Sequence, residues 1–125
     1  MTAGAAGFPA IDGVDTVRGL GSVGANTVIY RRLLRLFCEQ HAEDVPRLSR
    51  LLSAGDRGAA ARQIHRLRGS ALSLGMVGIA QEALAIEGLL GEGADSEVAA
   101  GVDSLSLALA RVIAAIRRVL ADAAD

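Results

Sequence analysis

The chain has 125 residues, of which 51% are apolar, and a formal net charge of −1. This length suits one domain with its own core, while the near-neutral charge and the 2% aromatic content argue against a surface that binds nucleic acid. The single cysteine, Cys38, excludes an internal disulfide, and with only two histidines the chain has no spacing typical of a metal site.

The chain begins with a segment rich in glycine, alanine and proline that has no hydrophobic period. We therefore predict that residues 1–12 form a linker or a disordered tail and that residues 13–125 form the domain. The segment lacks the basic and long apolar regions of a secretion signal, and apolar runs elsewhere fall short of the roughly 20 residues that span a bilayer. We expect a cytoplasmic domain without direct membrane contact, either free-standing or part of a longer protein.

Apolar residues recur at intervals of three and four through most of the remaining chain, which predicts amphipathic helices. A short helical turn is expected within residues 12–23, followed by helices over about 26–39 and 42–54. Gly55 is expected to end the second of these in a left-handed conformation. The inward face of the first is predicted to consist of Val28, Ile29, Leu33, Leu36 and Phe37.

Three further helices are predicted, over about 56–74, 77–90 and 96–121, with a loop at 91–97. The residues of the middle helix expected to face inward are Ile79, Leu84, Ile86 and Leu89. Amphipathic helices joined by short connections favour an all-α fold. The most economical arrangement is an antiparallel up-and-down four-helix bundle with an additional short N-terminal helix.

The predicted helix over residues 56–74 contains the stretch that is most informative about function, IHRLRGSALSLG. Asp56 is expected to cap the N-terminus of this helix and Gly75 to end it. Its buried stripe is predicted to consist of Ile64, Leu67, Ala71 and Leu74. His65 lies about 100° around the helix from Ile64 and is expected at the surface, with Arg68 and Gly69 three and four residues further on.

The grouping of His65, Arg68 and Gly69 is suited to a site where the histidine accepts a phosphoryl group. A glycine costs a helix about 0.5–1 kcal/mol relative to alanine, and Gly69 would leave open space through which a partner reaches the imidazole. The Arg68 guanidinium can hydrogen-bond phosphoryl oxygens and offset their charge, and an exposed neutral imidazole is a competent nucleophile. The alternatives are an inert surface histidine, a glycine that permits close helix packing, and an ordinary solvated face for the arginines.

The segment HRLRGSALSLG resembles the signature of histidine-containing phosphotransfer (HPt) domains, H-x-L-[KR]-G-[SA]-x-x-x-[LIV]-G. The matching residues are His65, Leu67, Arg68, Gly69, Ser70, Leu74 and Gly75. The preceding sequence, IDGVDTVRGLGSVGANTVIYRRLLRLF, is similar to the family's opening segment and first long helix, and ALAIEGLL resembles the helix after the motif. The resemblance extends over about residues 11–120 and implies a four-helix bundle with an extra N-terminal helix.

The resemblance also implies a role for the residues around the motif. His65 would be phosphorylated on Nε2, Arg68 would steady the phosphoryl group in place of the usual lysine, and Gly69 would leave access for the partner. Ser70 would orient the site, or would instead bond back to a carbonyl of its own helix. Glu87 matches the position whose side chain accepts the Nδ1 proton, which leaves Nε2 free to attack.

By this resemblance, the chain is a phosphorelay intermediate in two-component signalling. His65 would take a phosphoryl group from the aspartate of one response-regulator receiver domain and pass it to the aspartate of another, with Mg²⁺ supplied by the receiver and no cofactor of its own. Since no ATP-binding motif is visible, we expect a phosphoryl carrier and not an enzyme, although the domain would fit the end of a hybrid sensor kinase. We expect a monomer that contacts the receiver through Arg62, Arg66, Leu72 and Met76.

Two competing interpretations remain at this stage. The first is a non-catalytic helical interaction module that binds and regulates a partner protein. The second is an enzyme that uses His65 as a general base, which would require a pocket and a further polar group near the histidine.

Overall fold

The computed structural model describes residues 7–122, and this part of the chain is all-α. Its helices are α1 (Thr16–Gly21), α2 (Thr27–His41), α3 (Asp44–Ser53), α4 (Arg57–Leu74), α5 (Val77–Glu92) and α6 (Asp95–Asp122). Between residues 7 and 122 there is no β-strand, only an isolated bridge between Ile11 and Val14. The predicted all-α class is therefore confirmed.

The core lies between the four long helices. Helix α4 packs along α5, α5 packs against α6, and α2 contacts both α6 and α4, while the short helices α1 and α3 cover α4 from outside. The long α6 buries a row of apolar side chains at intervals of three and four, comprising Val98, Val102, Leu105, Leu109, Val112, Ile116 and Leu120. Full burial of one such side chain stabilises a fold by about 1.5–3 kcal/mol, so this row anchors the bundle that carries the other helices.

Helix α6 is also long and apolar enough to cross a membrane, judged by length and composition. It has 28 residues and contains an 18-residue window with a mean hydropathy of 1.6, of which 39% is buried inside the bundle. This corrects the expectation that no segment approaches the length of a membrane span. A helix that contributes to the core of a bundle meets the same criterion of length and hydropathy. Helix α6 contributes to the core in this way through its row of buried apolar side chains.

The helix ends follow the capping chemistry expected from the sequence. The Asp56 carboxylate accepts a hydrogen bond from the Ala59 amide at 3.0 Å, which satisfies one of the free donors of the first turn of α4. Gly75 ends α4 with φ +94° and Gly55 follows α3 with φ +75°, a left-handed conformation that glycine adopts without a steric penalty. These three predictions are confirmed.

The C-terminal end of α4 is held in place by α1 and α2. The buried Tyr30 hydroxyl donates a hydrogen bond to the Leu74 carbonyl at 2.7 Å, and the Asp15 amide donates to the Gly75 carbonyl at 2.8 Å. Gly19 of α1 packs so closely against α4 that an added Cβ would overlap the Leu74 carbonyl oxygen. Burial, together with the charge of Asp15, raises the pKa of Tyr30 to about 12, so this hydroxyl remains a donor at physiological pH.

Replacing Tyr30 by phenylalanine should therefore lower the free energy of unfolding by about 1–3 kcal/mol, because the buried Leu74 carbonyl loses its side-chain donor. Urea unfolding followed by circular dichroism measures this difference. Removal of the side chain of Leu107, which is 74% exposed on α6, should change the stability by less than about 0.5 kcal/mol. Equal stability of the Tyr30→Phe variant and the wild type would contradict the role given to this hydroxyl.

A buried polar cluster joins α2, α3 and α4. The His41 Nδ1 lies 2.6 Å from Asp44 Oδ2, and the Gln63 amide nitrogen donates to the Asp44 backbone carbonyl at 2.6 Å. His41 also stacks at a tilt on Phe37, with ring centroids 4.7 Å apart. Since His41 is buried, the two histidines of the chain occupy opposite environments, one inside the fold and one on its surface.

The predicted N-terminal tail is wrong for residues 7–12. Phe8 and Ile11 are buried in the core, and the Phe8 ring packs edge-on against Tyr30 with centroids 5.0 Å apart. A single aromatic and a single isoleucine carry this packing, too few to create a hydrophobic period. The remaining part of the predicted tail, residues 1–6, lies outside the described residues.

Two further expectations are corrected by the structure. In α2 the inward side chains are Tyr30, Leu34, Phe37, Cys38 and His41, whereas Val28, Ile29 and Leu36 of the predicted stripe are exposed. Apolar residues lie on both faces of this helix, and the face that is buried in the core is the one that includes Tyr30. The loop predicted at 91–97 shortens to Gly93 and Ala94, because α5 continues to Glu92 and α6 begins at Asp95.

Candidate functional site

Helix α4 presents His65 on the outer surface of the bundle. The predicted buried stripe of α4 is confirmed, since Ile64 and Leu67 are each only 1% exposed and Ala71 and Leu74 are also buried. The packing of this stripe fixes the rotation of the helix, and the His65 side chain, one residue further on, is 66% exposed. The imidazole therefore stands on a rigid support in contact with solvent.

Helix α5 brings Glu87 to His65 from the side. Its neighbour Ile86 is buried at 1% exposure, which turns the Glu87 carboxylate towards α4 at the edge of the helix pair. Glu87 Oε2 lies 3.2 Å from His65 Nδ1, and Glu87 Oε1 accepts a hydrogen bond from Arg68 Nε at 2.5 Å. The third side of the triangle joins Arg68 Nη2 and His65 Nδ1 at 3.3 Å.

The electrostatics of this triangle favour an ionised carboxylate. Partial burial raises the pKa of Glu87, but the hydrogen bonds from Arg68 and His65, with their positive charge, lower it by more, so that it lies below its ordinary value. At neutral pH the carboxylate can then only accept hydrogen bonds. An accepting group next to Nδ1 favours the tautomer that carries its proton there and leaves a lone pair on Nε2.

The lowered pKa of Glu87 predicts a pH dependence of stability. Since the pKa is lower in the folded than in the unfolded chain, the ionised carboxylate contributes stability above the ordinary carboxyl pKa and loses it as the pH falls through the lowered value. The Glu87→Gln variant lacks this contribution, so its free energy of unfolding should fall less steeply than that of the wild type below about pH 4.5. Urea unfolding across this range checks the prediction.

The matched control is Glu92→Gln, which neutralises an exposed carboxylate at the end of the same helix and should follow the wild-type curve. Parallel curves for Glu87→Gln and the wild type would show that the triangle does not stabilise the folded carboxylate.

Gly69 lies in open space one turn after His65. A Cβ built at this position meets no atom within 4 Å, so no neighbouring helix requires a glycine here. The alternative that Gly69 permits close helix packing is therefore excluded by the geometry. The space beside the imidazole is free, as the sequence predicted for a site that a partner approaches.

Ser70 does not join this triangle. Its side chain is half-buried and lines a shallow groove of about 170 Å³ between α2 and α4, together with Leu33, Leu36, Phe37, Gln40, Ser73 and Leu74. Among residues 7–122 no hydrogen bond joins Ser70 to His65. The orienting role that the resemblance implied for Ser70 has no contact in this structure to support it.

The predicted partner-binding residues fall into two groups. Arg62, Arg66 and Leu72 are exposed on the outer face of α4, in positions that a docking protein can reach. Met76 is 0% exposed, so its prediction as a contact residue is wrong. It occupies the N-cap position of α5 without a side-chain capping bond, and the turn after Gly75 places its side chain in the core.

Leu84 is a surface residue that the sequence reasoning placed inside. It is 55% exposed and lines a groove of about 220 Å³ between α4 and α5, which we call the α4–α5 groove, with Arg18, Arg68, Leu72, Val77, Ala80 and Gln81. Leu84 lies three residues before Glu87, and residues three apart share a helix face. This spacing was the signal in the sequence that Leu84 lies on the same exposed face as Glu87. An apolar side chain thus lies beside the polar triangle.

The site includes no arrangement typical of a metal centre. Within the described residues, no group of three His, Cys, Asp or Glu side chains is placed to hold a metal ion. The chemistry available to the site is that of an imidazole, a carboxylate and a guanidinium on an open surface.

The helices thus display a histidine on the surface, with a carboxylate at Nδ1 and a guanidinium beside it. The family model described as Hpt domain matches residues 32–119. The chain therefore belongs to the Hpt domain family, whose members are phosphocarriers in two-component signalling and interact with receiver domains of response regulators. Neither the curated proteins nor the solved structures gave a match to this chain.

Proposed function

We propose that this domain is a phosphorelay intermediate that accepts a phosphoryl group on His65 Nε2. The observation that carries the proposal is the environment of the imidazole, which is two-thirds exposed while its Nδ1 lies 3.2 Å from Glu87. When Nδ1–H donates to the carboxylate, the lone pair of Nε2 is available to a visiting group. The open space at Gly69 allows that group to approach.

The transfer that we propose is a displacement at phosphorus without any change of oxidation state. The Nε2 lone pair forms a bond to the phosphorus of an aspartyl phosphate while the bond from phosphorus to the carboxylate oxygen breaks. The electron pair of that bond leaves on the receiver's aspartate, and the Nδ1 proton stays on the ring. Glu87 offsets the resulting positive charge, and in the return step the ring is the leaving group for the aspartate of a second receiver.

The surroundings of His65 suit a receiver with an apolar docking surface and an acidic phosphorylation pocket. Leu72 and Leu84 offer exposed apolar area in the α4–α5 groove, and Arg62 and Arg66 lie exposed on the same helix as His65. Such charges chiefly raise the rate of association with an acidic partner. The Mg²⁺ that offsets phosphoryl charge would be supplied by the receiver's acidic pocket.

From its membership of the Hpt domain family, we also propose that the domain is a monomer in the cytoplasm, either free-standing or at the end of a hybrid sensor kinase. The bundle would be antiparallel and up-and-down through its long helices. Support for this topology comes from the two-residue connections Gly75–Met76 and Gly93–Ala94, since short connections join antiparallel neighbours.

The experiment that tests the proposal is incubation of the domain with a receiver carrying labelled aspartyl phosphate and Mg²⁺. The expected result is label on this domain, followed by its passage to a second, unlabelled receiver. A non-catalytic interaction module would instead bind the receiver and gain no label. Stable binding without transfer, for receivers that label another Hpt domain in parallel, would favour that alternative.

A further inference from the structure

The Arg68 side chain makes a second contact that the transfer itself does not explain. Its Nε donates to Glu87 Oε1 at 2.5 Å, and its Nη2 lies 3.3 Å from His65 Nδ1. A guanidinium has donors only and stays protonated at any physiological pH. Its contact with Nδ1 is therefore a hydrogen bond only when that nitrogen carries a lone pair.

Glu87 makes the opposite demand on the same nitrogen. Its ionised carboxylate, 3.2 Å from Nδ1, forms a hydrogen bond only when Nδ1 carries the proton. A neutral imidazole has one proton for its two nitrogens, so the two contacts favour different tautomers. With the proton on Nδ1 the Nε2 lone pair is free, whereas with the proton on Nε2 that nitrogen cannot attack.

We infer that Arg68 is a positioning residue that sets the tautomer of His65 by competing with Glu87 for Nδ1. In the resting domain, Nη2 holds part of the population with its proton on Nε2, the unreactive form. An arriving phosphoryl group offers its charged oxygens to Nη2, and Nη2 then moves away from Nδ1. The Nε2 proton passes to solvent, while Nδ1 takes a proton from solvent and donates it to Glu87. Only the consequence for reactivity rests on the proposed function; the competition itself belongs to the unphosphorylated domain.

The geometry of the site places both competing groups, Arg68 and Glu87, next to His65 Nδ1. Arg68 and Glu87 are each less than one-third exposed, and the short Nε contact holds the planar guanidinium so that Nη2 lies at Nδ1 in the domain without a phosphoryl group. Since His65 is well exposed and the two contacts at Nδ1 are similar in length, solvent weakens both and neither dominates by geometry. Removing one competitor should then shift the ratio of tautomers by about three- to tenfold.

The test is ¹⁵N NMR of the histidine rings at about pH 8.5, where an imidazole is neutral, without any receiver. We expect Arg68→Ala to raise the fraction with the proton on Nδ1 and Glu87→Gln to lower it, because the glutamine amide oxygen can still accept from Arg68 Nε while its NH₂ group next to Nδ1 is a donor. The control Arg66→Ala removes a neighbouring exposed arginine and should leave the ratio unchanged. His41, bonded to Asp44 inside the fold, is an internal reference whose signals should stay constant in all variants.

An unchanged ratio in Arg68→Ala, or a shift in the same direction in both variants, would overturn the inference. A second measurement adds a receiver carrying beryllofluoride as a phosphoryl analogue, which should move wild-type His65 towards the Nδ1–H form and leave Arg68→Ala unmoved. Receiver binding without that movement would overturn the release step. Failure of the receiver to bind would count against the proposed function, while the ratios in the free domain would still decide the role of Arg68.

Discussion

Replacement of His65 by glutamine should abolish phosphoryl transfer to this domain while leaving its fold intact. Glutamine retains a polar side chain of similar length but has no nucleophilic nitrogen, and its site is well exposed, so little packing depends on the ring. The only other histidine, His41, is buried and cannot replace it as an acceptor. The measurement is the label transferred from a phosphorylated receiver, with circular dichroism to verify the helical content.

The control for this variant is Leu107→Ala on α6, an exposed position on a helix that contributes no residue to the site, which should transfer at the wild-type rate. A His65→Gln variant that still gains label at a comparable rate would show that another residue accepts the phosphoryl group.

The second large effect is expected at Gly69. A glutamine there projects a long side chain into the space beside the imidazole, and a misplacement of about 1 Å in an attacking geometry costs about 100-fold in rate. Transfer to Gly69→Gln should therefore fall by about that factor. The fold should not suffer, because an added Cβ meets no atom within 4 Å and glutamine has a higher helix propensity than glycine by about 0.5–1 kcal/mol.

Gly78→Gln is the matched control, since Gly78 is also a helical glycine in open space but lines a groove that faces α6. This variant should transfer phosphoryl groups as the wild type does. Normal transfer by Gly69→Gln with a normal melting temperature would refute the argument that Gly69 provides access.

The fold of α4 could be read from the sequence because several local signals agree there. The cap at Asp56, the apolar stripe that includes Ile64 and Leu67, and the left-handed Gly75 all indicate one helix with one buried face. Consistent local preferences of this kind specify structure strongly. The exposure of His65 followed from its position relative to the stripe.

The faces of α2 and α5 could not be read in the same way. In α2 the apolar residues cover two faces, and the buried face is the one with Tyr30, whose hydroxyl donates to the distant Leu74 carbonyl. In α5 the large Leu84 is exposed, whereas the small residues Ala80 and Ala83 are buried. These small side chains allow close packing against the neighbouring helices. Tertiary contacts therefore decided what periodicity left open.

The site was only partly predictable for a related reason. Glu87 was identified through the family resemblance, since a separation of 22 residues along the chain carries no local signal. The bond between Arg68 and Glu87 requires the side-by-side packing of α4 and α5, which no local pattern in the sequence specifies. Met76 was misplaced because the turn after α4, and not the helical period, determines its direction.

The central claim is that His65 Nε2 carries the phosphoryl group, and the most direct test is to locate that group on the domain. After transfer from a labelled receiver, two-dimensional NMR of the histidine ring should show phosphorus coupled through Nε2 of His65, in a linkage that is labile in acid and stable in base. Phosphorus on another residue, or an acid-stable linkage, would contradict the account.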